Sequence, residues 1–184
     1  MSDDTGASTT NGPTLPSTTD SRQLSRDPAV IRVRQALLEQ RATGRTFAIR
    51  GPAQGPAATA ALLGVDVSQV ARTTVYRAYD LDRQQSPLLV VASSGHDVDT
   101  VKLCEVLDLA HLELLEANAV EQLTGFPVDG IAPVGLREPI ETVVDVALSR
   151  CVEVWVTAGH PRAVFSTTYG ELLRITAGHA AEVG

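Results

Sequence analysis

Residues 124–135 carry the pattern best suited to chemistry. They read T-G-F-P-V-D-G-I-A-P-V-G, with three glycines and two prolines, and follow neither helical nor strand periodicity. Gly125 is placed to end a preceding helix in the left-handed conformation. Gly130 has no Cβ to shield its peptide N–H, so a ligand could approach the backbone closely there. Pro133 fixes the chain and Gly135 releases it. A loop of this kind, held between hydrophobic elements, suits binding of a carbonyl or an oxyanion by main-chain donors, with Gly130 as the candidate donor. The same stretch also reads as a plain connection, which is what most loops are.

Other side chains offer less. His96 lies near Asp99, and His160 sits in Gly159-His160-Pro161, both in expected loops at strand ends. Imidazole is the usual general base near neutral pH, and a loop histidine is also an ordinary surface residue. His111 and His179 support no argument. Asp145 follows an expected strand, where a carboxylate can serve as a cap. Cys104 and Cys151 sit among apolar neighbours and are expected as free, packed thiols in a reducing compartment. They have no further ligands at metal-binding spacing, and no G-x-S-x-G elbow is present, so neither a metal, a cofactor nor a serine nucleophile is expected.

The elements that must hold these residues follow from periodicity and caps. Asp27-Pro28 starts a helix with Val30, Val33 and Leu37 on one face and Gly44 closing it. Residues 46–50 alternate as a first strand, and an Ala-rich helix over 55–63 ends at Gly64. The β-rich runs 72–78 and 87–92 flank a polar stretch and form a hairpin. A helix over 97–107 is expected to face inward through Val98 and Val101, joined by Leu103 and Val106. Asn118-x-x-Glu121 reads as a capping box for a short helix, and Thr168-x-x-Glu171 as another for a last helix through about Thr176. Strands are expected over 140–144, over 152–157 with both faces buried, and over 163–166. Hairpins together with crossovers indicate an α/β (mixed α+β) fold, a mixed sheet packed by helices.

The 184 residues suit one domain, over 27–184, preceded by a disordered tail over 1–26 rich in Ser, Thr, Asp, Gly and Pro. The beginning lacks the basic start and apolar centre of a signal peptide, and no apolar run approaches the ~18 residues of a membrane span, so a cytoplasmic protein without a membrane partner is expected. Aromatics make up only 4%, which leaves the core to Val, Leu, Ile and Ala. A net charge of −7 disfavours nucleic acid unless a basic patch exists. The one candidate is segment 20–50, where seven arginines, Arg32 and Arg34 among them, stand against three carboxylates. It reads either as a solvated helix face or as a basic patch for a nucleic-acid backbone.

The loop pattern, followed by Val144-Asp145 and Ala158-Gly159, resembles the YbaK/prolyl-tRNA-synthetase-associated editing domain family of aminoacyl-tRNA deacylases. Ala60-Ala61-x-x-Gly64-Val65, Val98-Asp99 and Glu171-Leu172-Leu173 extend the resemblance from about Thr46 onwards. It implies a curved, partly barrel-like mixed sheet surrounded by helices, and hydrolysis of a mischarged tRNA carrying a small amino acid such as Ala, Cys or Pro. It also implies mischarged aminoacyl-tRNA as partner, together with a synthetase that presents it. By resemblance Arg72 and Gly130 are the catalytic positions. Ile131, Ala132, Pro133, Asp145, Gly159 and His160 bind substrate, Asp145 through the ammonium group. Arg72 stands where the family pattern has a lysine, Asp129 where it commonly has a glycine, and Leu136 where near relatives carry a polar residue. A non-catalytic module binding tRNA ends or a synthetase is the alternative the resemblance leaves open.

Overall fold

Asp27 caps helix α1 (Pro28–Glu39) as expected, accepting from the amides of Ala29 and Val30 at 2.8 and 3.3 Å. Pro28 occupies the first turn, where its missing N–H costs nothing. Val30, Val33 and Leu37 are the buried stripe. The computed structural model describes residues 22–49 and 55–184. Residues 1–21 of the expected tail lie outside the described residues, and within 22–26 Leu24 is buried. Arg50 lies outside the described residues. The helix stops before Arg41, whose φ is +52°, and not at Gly44. Gly44 instead permits a close approach of two chain segments, since a Cβ there would strike the Ser166 carbonyl.

Among the described residues eight strands form one mixed sheet. They are β1 (Thr46–Ala48), β2 (Val70–Tyr79), β3 (Gln85–Ser93), β4 (His111–Leu114), β5 (Glu141–Asp145), β6 (Val154–Thr157), β7 (Ala163–Thr167) and β8 (His179–Ala181). The order is β1-β7-β6-β2-β3-β5-β8, with β4 also on β2. β2 and β3 form the expected antiparallel hairpin, while β3–β5, β5–β8 and β2–β6 are parallel. β3 takes one edge of β2, so β4 and β6 share the other. β6 pairs at Val70 and Ala71, and β4 from Tyr76 to Tyr79. The sheet forks at β2, and the middle of that edge is unpaired.

Helices α2 (Pro56–Leu63), α3 (Thr100–Val106), α4 (Ala117–Thr124) and α5 (Tyr169–Thr176) accompany the sheet among the described residues. One apolar cluster lies beneath α1, α4 and α5 and includes Val75, Leu89, Val144, Val156 and Phe165. A second, with Leu88, Val90 and Val143, lies beneath α3 on the other face. Gly64 and Gly125 end α2 and α4 in the left-handed region, as expected.

Several local expectations need correction. α3 begins only at Thr100, capped by Asp99, and a helix of seven residues buries just Leu103, leaving Val101 and Val106 exposed. α4 begins after Glu116 with no side-chain cap, so Asn118 is not its start. Thr168 does cap α5, but the Glu171 carboxylate turns away to Thr43 and Thr167. Val152 is almost fully exposed, and β6 alternates between buried and half-buried residues because one of its faces borders a cleft.

Candidate active site

The fork in the sheet makes a cleft of about 480 Å³. That lies within the range of roughly 300–1,000 Å³ usual for small-molecule sites. Its walls come from β2 residues 70–75, from Trp155 and Thr157 on β6, from Asp129 and Ile131 of the glycine-rich loop, and from the start of α2. They are mainly apolar, punctuated by Thr59, Thr73, Thr74 and Thr157, with Arg72, Glu116 and Asp129 supplying charge.

Hydrogen-bond alternation identifies what β2 offers here. The Val70 carbonyl accepts from Ser94 N, so residues 70, 72 and 74 bond towards β3. Residues 71, 73 and 75 point their amides and carbonyls to the forked edge. Ala71 meets β6 there, and the Val75 carbonyl accepts from Leu115 N. Thr73 falls between, and no strand pairs with its outward amide and carbonyl. Thr73 is 7% exposed, and its buried hydroxyl has no protein partner; the indole N–H of Trp155 is likewise buried and unpartnered. Both residues line the cleft. A buried polar group without a partner is uncommon enough to point to a ligand.

The expected site residues are distributed unevenly. Arg72 lines the cleft, 40% exposed, with a loose 3.6 Å contact to the fully exposed Asp97. Burial raises the Tyr76 phenol, and the Arg72 charge four residues away offsets this in part. Ile131 lines the cleft, and its carbonyl accepts from the Thr157 hydroxyl. Ala132 and Pro133 are buried behind it and do not line the cleft.

Gly130 is not an open donor. Its amide donates to Pro127 O at 2.8 Å within a short 3₁₀ turn, Val128–Gly130. Its bare Cα faces protein: an added Cβ would lie 2.9 Å from both Cα and N of His160. Gly159, at φ +86°, brings its own loop equally close to the Ala29 backbone. His160 faces away from the cleft into a separate 140 Å³ cavity beside Asp27, with Nδ1 accepting from Arg162 N at 3.0 Å. The neighbouring Pro161 lines the cleft in its place.

Asp145 is also absent from the cleft. Its side chain is 1% exposed and accepts from Ser93 N at 2.9 Å and Ala147 N at 3.0 Å, with His96 Nε2 at 2.8 Å. It is a buried cap tying β5 to β3, not a free group for an ammonium. Within the basic segment Arg34 is exposed, whereas Arg32 is turned inward onto main-chain carbonyls. Cys104 and Cys151 are both free, and burial raises the Cys104 thiol. Among the described residues no three His, Cys, Asp or Glu side chains are placed to hold a metal ion, and no helix is long and apolar enough to cross a membrane.

Sequence reasoning missed Thr73, Trp155 and Thr157. Thr73 lay inside an expected strand, but nothing local announced that two strands would divide its edge.

Four comparisons with known proteins bear on this site. A sequence model of the aminoacyl-tRNA editing domain matches residues 51–175. The proline--tRNA ligase of a Geobacter species is 34% identical over 89 residues, which is 48% of this chain and 15% of the ligase, so the chain spans only a small part of that relative. EbsC of Enterococcus faecalis, a proposed Cys-tRNA(Pro)/Cys-tRNA(Cys) deacylase, is 23% identical over 122 residues, 62% of this chain and 72% of that protein. Among solved structures, a proposed trans-editing enzyme for prolyl tRNA synthetase superposes with a TM-score of 0.77 at 26% identity, covering 85% of this chain and 97% of that one.

Proposed function

The chain belongs to the aminoacyl-tRNA editing domain family, and from that premise we propose that it hydrolyses the ester of a mischarged tRNA in the cleft at the fork of β2. The observation that carries this reading is the open edge of β2 at Thr73, a residue that lines the cleft beside the family's glycine-rich loop, whose outward amide no strand pairs and whose buried hydroxyl has no protein partner. Ester hydrolysis needs a positioned water and stabilisation of a tetrahedral oxyanion, and it needs no protein nucleophile. Water adds to the ester carbonyl, the bond to the ribose oxygen breaks, and that oxygen leaves with a proton.

In this mechanism the Thr73 amide and hydroxyl donate to the developing oxyanion. Arg72, held only loosely by Asp97, reaches the terminal phosphate or adenosine; a guanidinium binds there as a planar fork and does not transfer a proton. Glu116 and Asp129 line the cleft and attract the amino acid's ammonium group, the role expected of Asp145. A 480 Å³ cleft that must also admit part of the terminal nucleoside leaves room for a small side chain such as that of Ala, Cys or Pro. A synthetase presents the tRNA in this scheme, because the chain's net charge of −7 gives little general affinity for a phosphate backbone.

Two observations favour a second reading, a non-catalytic module that binds tRNA ends or a synthetase. The Gly130 amide, the expected oxyanion donor, is spent on Pro127, and the acidic Asp129 borders the cleft. Single-turnover assays on tRNA charged with Ala, Cys, Pro or Ser, with and without prolyl-tRNA synthetase, separate the two. The deacylase reading expects at least one ester to be cleaved well above the spontaneous rate. Binding without cleavage of any of them would establish the second reading.

A further inference from the structure

One side chain outside the matched region fastens both ends of the loop that borders the cleft. Arg32, on α1, donates from Nε to Gly135 O at 2.6 Å and from Nη2 to Gly125 O at 2.9 Å, with Thr124 O at 3.4 Å. Its guanidinium carbon lies 4.3 Å from the centroid of the Phe126 ring, which is fully buried. Between these carbonyls the chain runs through Asp129 and Ile131, both of which line the cleft. Burial, then the nearby Arg137 charge, lowers the Arg32 pKa, but a guanidinium in a protein remains a cation.

The geometry suits a positioning role. A planar fork bonded to two carbonyls fixes the distance between them, which a lysine ammonium on a flexible stem does not. The cation also sits at the C-terminal end of α4, where the helix dipole favours positive charge. Arg137 adds a second fastening on the same helix end, from Nη1 to Gln122 O at 3.2 Å, but nothing comparable from it reaches Gly135. The Arg137 main-chain N also donates to Thr124 O at 3.3 Å, so the loop is closed by this bond together with Arg32, the side chain that bonds Gly125 O and Gly135 O at once.

We propose that Arg32 is a positioning residue for hydrolysis, holding Asp129 and Ile131 at the distance from β2 that the reaction requires. This rests on the deacylase reading of the cleft. Misplacement of a wall by about 1 Å can cost up to a hundred-fold in rate.

The test measures single-turnover hydrolysis at saturating enzyme for wild type, Arg32→Lys and Arg32→Met, together with amide hydrogen exchange. At saturation a smaller folded fraction lowers the amount of active enzyme but not the limiting rate constant. The rate constant is expected to fall about ten- to a hundred-fold in Arg32→Met and by less in Arg32→Lys. Exchange should quicken over residues 126–135 and stay unchanged in β2 and β3. Either change without the other, or neither in folded variants, overturns the proposal. Failure of both variants to fold also overturns it, because Arg32 would then hold the whole domain and not this loop. A wild type inactive on every charged tRNA is a distinct result that removes the deacylase reading and this inference with it.

Discussion

Changing Gly130 to alanine should disturb both the fold and the site. The added Cβ would lie 2.9 Å from Cα and N of His160 and 3.1 Å from the Gly159 carbonyl carbon. Carbon atoms in contact prefer about 3.5–4.0 Å, so the two segments must part by roughly half an ångström or more. All three neighbours are main-chain atoms, which no rotamer change can move aside. Gly159 cannot retreat freely, since it already lies against the Ala29 backbone of α1. Overpacking of this kind costs roughly 1–3 kcal/mol. For a domain of this size that lowers Tm by about 2–4 °C per kcal/mol, so a loss of several degrees is expected. The displaced strip includes the wall formed by Asp129 and Ile131, so the limiting rate of hydrolysis should fall as well. Gly170→Ala is the matched control: nothing lies within 4 Å of its Cβ, it sits in α5, and it should stabilise by roughly 0.5–1 kcal/mol. Differential scanning calorimetry and urea titration measure the two variants side by side. A Gly130→Ala protein with wild-type Tm would refute the argument that the missing Cβ exists for chain packing.

Further tests address other parts of the structure. Asp145→Ala strands the buried amide of Ser93 and the half-buried amide of Ala147 and should cost roughly 2–5 kcal/mol in urea unfolding, whereas a loss below about 1 kcal/mol would contradict the buried cap. Burial pushes the Glu171 carboxyl up, but bonds from Thr43 and Thr167 and the Arg174 charge more than offset this and hold it below its ordinary range. Its stabilising contribution is thus complete above the ordinary glutamate value of about 4.3 and is lost as pH falls through the lower folded value. Melting wild type and Glu171→Gln from pH 7 downward should show their difference shrinking only below that point, and a constant difference would contradict it. Arg72→Ala should lower kcat/KM by about ten-fold, or about 1.4 kcal/mol, with Arg72→Lys keeping part of the rate. Indifference to both changes would remove Arg72 from the site.

What was legible in the sequence was local. The Asp27 cap, the Pro28 start, the Gly64 and Gly125 stops and the β2–β3 hairpin each depend on residues a few positions apart, and each is present. The fork was not legible, because β4 is only four residues long and both β4 and β6 reach β2 from distant parts of the chain. Gly130 shows a different limit. A bare Cα admits either a ligand or another stretch of backbone, and only the position of His160 decides between them. Asp145 was half legible: Ala147, two residues on, makes the cap local, while Ser93 and His96 do not come from nearby sequence. Arg32 belongs to an arginine-rich run that reads as surface, and its inward role depends on carbonyls about a hundred residues away.

The claim that chemistry occurs at the open edge of β2 meets its most direct test in Thr73→Val. The substitution keeps the shape of the side chain and removes a buried hydroxyl that has no protein partner, so Tm should stay level or rise slightly. Single-turnover hydrolysis of the best mischarged substrate should nevertheless slow by at least about ten-fold, the loss of one donor to the oxyanion. A folded Thr73→Val protein that cleaves this ester at the wild-type rate would contradict the account.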